Sequence, residues 1–173
     1  ISAFKAERIK ASQQFKLSKD NTNFELDQLQ HAYQMTRIIN HAQGLKVLQH
    51  ASESYQWELD LAATTRIWTN GCIIRSQLME EWTKCLAASP ADPLNTILDN
   101  KDGAHGIKAL TEFVQKALGS SCPVPCHTAA LNYFLGMHSE QSSANMIQAQ
   151  RDFFRQHTFK RTDQEGSFTY TWE

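Results

Sequence analysis

A chain of 173 residues is long enough to enclose a sizeable apolar core, and 41% hydrophobic against 20% charged residues describe a globular protein. With 17 basic and 18 acidic residues, the net charge of -1 creates no global field that would collect nucleic acid or an anionic membrane surface, so any anion site must be local. No apolar run approaches the roughly 20 residues that cross a bilayer, and four cysteines are too few for a disulfide-built scaffold, which makes a reducing cytoplasm the expected compartment.

The chain opens Ile1-Ser2-Ala3-Phe4-Lys5, without Met and without the basic-then-apolar pattern of a secretory leader, as expected of a fragment or processed product. Phe4, Ile9 and Phe15 among Lys, Glu, Arg and Gln predict a first helix with a solvated face, ended by the polar run from Ser18 to Asn23. From Phe24 to about Tyr55 there is no proline, and Leu26, Leu29, Tyr33, Ile38, Ala42, Leu45 and Leu48 recur at helical intervals. That is a long helix and the expected spine of the core, with Gly44 marking a close helix crossing. Asp60 is placed to cap a short helix to about Trp68, Asn70-Gly71 to break it, and Ile73 to about Leu86 to resume one. Pro90 and Pro93 predict a loop. A further helix runs from Ala104 to Leu118 and stops at Gly119, another from Pro125 to Met137, and the last from Ala144 to about Gln156. With no internal repeat, the fold class is all-α. The tail differs: from Gly166 to Trp172, Phe168, Tyr170 and Trp172 alternate with small polar residues, the period of an extended segment with one apolar face that needs a groove, on a second subunit or on its own domain.

Several chemistry-bearing residues read as structural. Cys122-Pro123-Val124-Pro125-Cys126-His127 has ligand-type side chains, but two prolines separate the thiols and no second Cys or His pair completes a metal site. Cys72 and Cys85 are expected as buried thiols on helices. Gly103-Ala104-His105-Gly106 neither follows a strand nor reproduces a dinucleotide fingerprint, and reads as loop glycines. Arg75, after an apolar triplet, is expected to anchor against the core with its head paired. The other histidines, His31, His41, His50, His105, His127 and His138, lack metal-binding spacing and are uninformative.

Three stretches, Trp68 to Ser76, Pro123 to Cys126 and Ile147 to Phe154, together with Ile38 to Gly44 and Gly166 to Trp172, resemble decarboxylating 6-phosphogluconate dehydrogenases in order and interval. The resemblance spans essentially the whole chain and implies the family's helical C-terminal domain: a single helical domain over 1–157 and an extended tail, 158–173, docking on a partner subunit. Such enzymes oxidise and decarboxylate 6-phosphogluconate with NADP to ribulose 5-phosphate. The resemblance further implies a homodimer joined through the helical domain and the tail; neither nucleic acid nor membrane is expected as a partner, given the balanced charge and the lack of a long apolar run. It places the catalytic lysine and glutamate, and the NADP-binding domain, before Ile1. The chain is therefore expected to hold no catalytic, cofactor-binding or metal residue and to be inactive alone. What remains is Arg151 and His157, implied to hold the substrate phosphate bound in the neighbouring subunit; planar paired donors and a pH-dependent imidazole suit that anion. Six residues of ideal helix would turn the two side chains about 120° apart, so the helix is expected to end near His157. Arg155, Lys160 and Arg161 make this end basic without assigned roles. The alternative is a stand-alone, non-catalytic interaction or scaffold protein on the same fold, with an all-α nucleic-acid binder last for want of a basic stripe.

Overall fold

The computed structural model describes residues 2–17, 23–89 and 93–171. A short 3-10 turn, Ser2–Phe4, leads into α1 (Lys5–Gln14), followed by α2 (Leu26–Tyr55), α3 (Leu61–Ile67), α4 (Gln77–Ala88), α5 (Pro93–Asn100), α6 (Gly103–Gly119), α7 (Pro125–Met137) and α8 (Ala144–Arg155). The chain divides into two compact units, 1–133 and 134–173. Among the described residues, no helix is long and apolar enough to cross a membrane.

The first unit is organised by α2 against α6 and by α3 against α4. On α6, Gly106, Ala109, Leu110, Phe113, Val114 and Ala117 are buried at alternating steps of three and one, the stripe of a helix with one core face. They meet the middle of α2, where Ala32, Met35, Ile38, Ile39, Ala42 and Leu45 are buried. Trp82 and Met79 of α4 and Ile97 of α5 are almost wholly enclosed. Burying such a side chain contributes about 1.5–3 kcal/mol, so this patterned interior accounts for the unit. The predicted spine is thus present, yet its apolar positions are of two kinds: Leu26 and Tyr33 are exposed. All described side chains of α1 are exposed as well. A ten-residue helix that buries nothing is marginal in water by itself.

Punctuation is largely where the residues dictate. Asp60 caps α3, its Oδ1 accepting from the Ala63 N–H at 2.9 Å, and Pro125 opens α7. Four readings are corrected. The loop expected at the prolines is partly helix: Pro93 occupies the first position of α5, where its missing N–H would have had no helical partner, while Pro90 lies outside the described residues. Helix α4 starts at Gln77, not Ile73; the break at Gly71 (φ +67°) continues through a turn in which the Arg75 N–H bonds the Cys72 carbonyl at 3.1 Å, leaving Ile73 fully exposed. The close helix approach is at Gly106, where an added Cβ would fall 2.3 Å from Met35 Cε, whereas one at Gly44 would meet nothing within 4 Å. Gly103 and Gly106 accordingly belong to the first turn of α6 and not to a loop.

Candidate functional site

Within residues 134–173, α8 ends abruptly. Its last helical residue is Arg155, and Gln156 adopts left-handed backbone (φ 52°), its N–H bonding the Asp152 carbonyl at 2.7 Å. Thr158 is left-handed too (φ 61°), so His157 lies between two non-glycine residues in a region that costs about 1–2 kcal/mol per L-residue. For a β-branched threonine this is a true outlier, and it persists because its surroundings hold it. The Thr158 N–H donates to Asp152 Oδ1 at 3.0 Å, and its carbonyl accepts from Gln148 Nε2.

Asp152 is the anchor. It is fully buried, and besides the Thr158 N–H it accepts from Thr169 Oγ1 (2.8 Å, at Oδ1) and from the Tyr170 N–H (2.9 Å, at Oδ2). Between those contacts the chain folds back on itself through an isolated antiparallel bridge, with Phe159 N–H to Phe168 C=O at 2.7 Å and the reciprocal bond at 2.9 Å. Gly166, at φ +125°, makes a backbone turn that a side chain would strain. The period-two tail is thus in place as far as Phe168 and Tyr170, and Trp172 lies outside the described residues.

The hairpin so formed and α8 flank an open cavity of about 1000 Å³ lined by Asn145, Gln148, His157, Lys160, Arg161 and Tyr170, among others. His157, Lys160 and Arg161 bring cationic or proton-bearing groups to it. Arg161 is engaged: Nε and Nη2 reach Asp163 Oδ1 and Oδ2 at 2.8 and 2.5 Å, and its guanidinium lies over Phe168, 5.6 Å from the ring centre. The hydrogen bond from Arg161 holds the Asp163 carboxyl below its ordinary range, and the same bond raises Arg161. Lys160 makes no ion pair among the described residues.

Of the two residues singled out in the sequence, His157 lines this cavity and Arg151 does not. Arg151 is exposed on α8, its Nη1 3.4 Å from Gln148 Oε1. Gln148 therefore connects them, taking the Arg151 head at its oxygen and giving its amide hydrogen to the carbonyl next to His157. The helix does end before His157, so the ideal-helix divergence no longer fixes its direction. Sequence reasoning passed over Asp152 and Gln148. A signal for Asp152 was present: a carboxylate in the last turn of a helix opposes the dipole there, a placement that asks for a compensating set of donors.

The remaining candidates lie elsewhere. Arg75 is exposed and makes no ion pair among the described residues, in place of the paired anchor expected from its neighbours. Cys72 is half-buried on a turn instead of a helix, Cys85 half-buried on α4, and Cys122 and Cys126 exposed. No group of three or more His, Cys, Asp or Glu among the described residues is arranged to hold a metal. His127, uninformative in the sequence, is half-buried in the first unit. It lies edge-on to Phe113, and its Nδ1 is 2.7 Å from Thr36 Oγ1. Because that hydroxyl donates to the Ala32 carbonyl at 2.8 Å, it accepts from the His127 Nδ1–H, and burial lowers the imidazole pKa from its usual 6.5.

Comparison with known proteins places the whole chain. Residues 1–172 match the profile of the 6-phosphogluconate dehydrogenase C-terminal domain. The decarboxylating 6-phosphogluconate dehydrogenase of Salmonella typhimurium is 36% identical over 180 residues and that of Lactococcus lactis subsp. lactis 34% over 181, each alignment covering 99% of this chain and 38% of the relative. A solved Plasmodium falciparum 6-phosphogluconate dehydrogenase, described in its apo form and in complex with its cofactor NADP+ and its substrate 6-phosphogluconate, superposes with a TM-score of 0.84 at 34% identity, over 99% of this chain and 38% of that one. The chain thus spans well under half the length of the relatives it matches.

Proposed function

The chain belongs to the 6-phosphogluconate dehydrogenase C-terminal domain family, and on that premise we propose that it is the substrate-binding and dimerising part of an NADP-dependent, decarboxylating 6-phosphogluconate dehydrogenase. Arg151 and His157 are the groups this part contributes, binding the phosphate of a 6-phosphogluconate held mainly by the neighbouring subunit. The observation that carries the reading is the shape of the chain around His157. Two left-handed residues flank an exposed imidazole, and hydrogen bonds from the Thr158 N–H to the Asp152 carboxylate and from Gln148 to the Thr158 carbonyl hold the second of them in a conformation unusual for a β-branched residue.

The chemistry supports an anion. Arg151 offers a planar guanidinium with paired donors, His157 brings ring nitrogens, and Lys160 adds an ammonium at the same cavity as His157. A second set of observations supports dimerisation. On α8, Met146, Ile147, Phe153 and Phe154 are exposed at spacings of seven and eight, one apolar stripe of the helix. Coenzyme binding and proton transfer fall, on this reading, to the portion of the relatives that this chain does not span. The isolated chain is accordingly expected to show no turnover of 6-phosphogluconate with NADP, measured as NADPH absorbance against a buffer control; turnover above that background overturns the assignment. Solution mass with and without residues 162–173 tests the association: a dimer that weakens on truncation is expected, and an intact chain that stays monomeric at high concentration contradicts it.

A further inference from the structure

We propose that Asp152 is a positioning residue for His157: its buried carboxylate clamps both ends of the hairpin and so fixes the backbone on which the imidazole is presented to phosphate. The inference rests on the phosphate reading above and goes beyond it by naming the group that makes the site, although Asp152 itself touches no ligand.

The geometry divides the work between the two carboxylate oxygens. Oδ1 takes the Thr158 N–H at 3.0 Å and the Thr169 hydroxyl at 2.8 Å, and Oδ2 takes the Tyr170 N–H at 2.9 Å. Thr158 follows His157 directly, while Thr169 and Tyr170 follow the Phe159 to Phe168 bridge, so one side chain spans the hairpin from its first residue to its last. A fully buried carboxylate is costly unless donors surround it, and here main-chain and hydroxyl donors replace water. The helix terminus gives it no help, because Asp152 lies in the final turn of α8, where the dipole disfavours negative charge. Held this way, Thr158 keeps a left-handed backbone that a β-branched residue would otherwise leave.

The division predicts different outcomes for two substitutions. In Asp152→Asn the side-chain oxygen can keep the two Oδ1 bonds, but the amide nitrogen then faces the Tyr170 N–H, donor against donor. In Asp152→Ala all three are lost. The test uses the 173-residue chain with two readouts: amide hydrogen exchange at Thr158 and Tyr170, and the His157 ring resonances during titration with inorganic phosphate. Wild type is expected to protect both amides and to bind phosphate saturably. Asp152→Asn should release Tyr170 alone and hold phosphate affinity within about twofold, whereas Asp152→Ala should release both amides and weaken phosphate about tenfold, on the scale of one lost charge-assisted hydrogen bond. Protection of the α2 and α8 amides checks that each variant is folded; if the alanine variant is not, Asp152→Ser, whose single oxygen cannot hold both ends of the hairpin, takes its place in both readouts. Equal exchange at Thr158 and Tyr170 in wild type and variants overturns the clamp. Both amides released in Asp152→Ala with phosphate affinity unchanged from wild type overturn the positioning role. A wild-type chain without any phosphate response refutes the phosphate reading instead, and the positioning role with it, while the exchange data still report the clamp.

Discussion

The two compact units are held by opposite kinds of interaction. In residues 1–133 the fold rests on apolar surface removed from water: α2 and α6 interlock along stripes of Ile, Leu, Val, Phe and Ala, with Trp82 wholly enclosed. In residues 134–173 the only described residue classed as buried is an aspartate. The first kind of stability is spread over many side chains, each replaceable by another of similar size. The second is concentrated in one carboxylate whose partners are two main-chain N–H groups and one hydroxyl, and it defines one conformation of one short segment. A unit built the first way serves as a scaffold, and one built the second way holds a particular backbone shape, as a binding corner requires.

That contrast can be broken most forcefully in the first unit. Trp82→Ala should lower its unfolding free energy by about 3–5 kcal/mol, the usual effect of emptying a large buried aromatic site; a loss below about 1 kcal/mol in urea denaturation would mean that the core is not centred there. Removing the Asp60 cap is the next largest effect. Asp60→Ala leaves the Ala63 N–H without its side-chain acceptor and should cost about 1 kcal/mol by the same measurement. Gly44→Ala carries the opposite sign. Nothing lies within 4 Å of the added Cβ, so the change should stabilise the unit by about 0.5–1 kcal/mol through helix propensity, and destabilisation would show a close packing partner at that point.

The smallest effect is a pH dependence from His127. Its folded pKa lies below 6.5, so above that value both states are neutral and stability is at its plateau. As pH falls, the unfolded chain takes up the proton first and stability declines until the folded imidazole is protonated as well. Urea midpoints between about pH 7.5 and pH 5 should therefore fall, and His127→Gln should flatten the part of the slope that this group supplies. An unaltered slope would show that His127 is not its source.

Legibility in the sequence follows the same division. Apolar periodicity announced α2, α4 and α6, and Asp60, Gly119 and Pro125 marked ends close to where they occur, because packing and capping act through neighbouring residues. The errors have local causes. Pro93 was read as a breaker, yet at the first position of a helix proline is harmless; Ile73 and Ile74 looked like a core face but sit on an exposed turn. Leu26 and Tyr33 have core periodicity without core burial, since the pattern of a helix does not say which protein covers it. At the site, the resemblance supplied Arg151 and His157, whereas for Asp152 the only sequence signal was its place in the last turn of a helix, since two of its partners, the N–H groups of Thr158 and Tyr170, are common to every sequence and carry no signature. Gln148 was hidden likewise, bonding a carbonyl ten residues away.

The proposed phosphate-binding corner at Arg151 and His157 meets its sharpest trial when the chain is titrated with 6-phosphogluconate and the His157 ring resonances are followed. Saturable shifts are predicted, with affinity weakened about tenfold or more in Arg151→Ala, as for a lost charged hydrogen-bond donor. Resonances that do not move, or that move equally in Arg151→Ala, would contradict it.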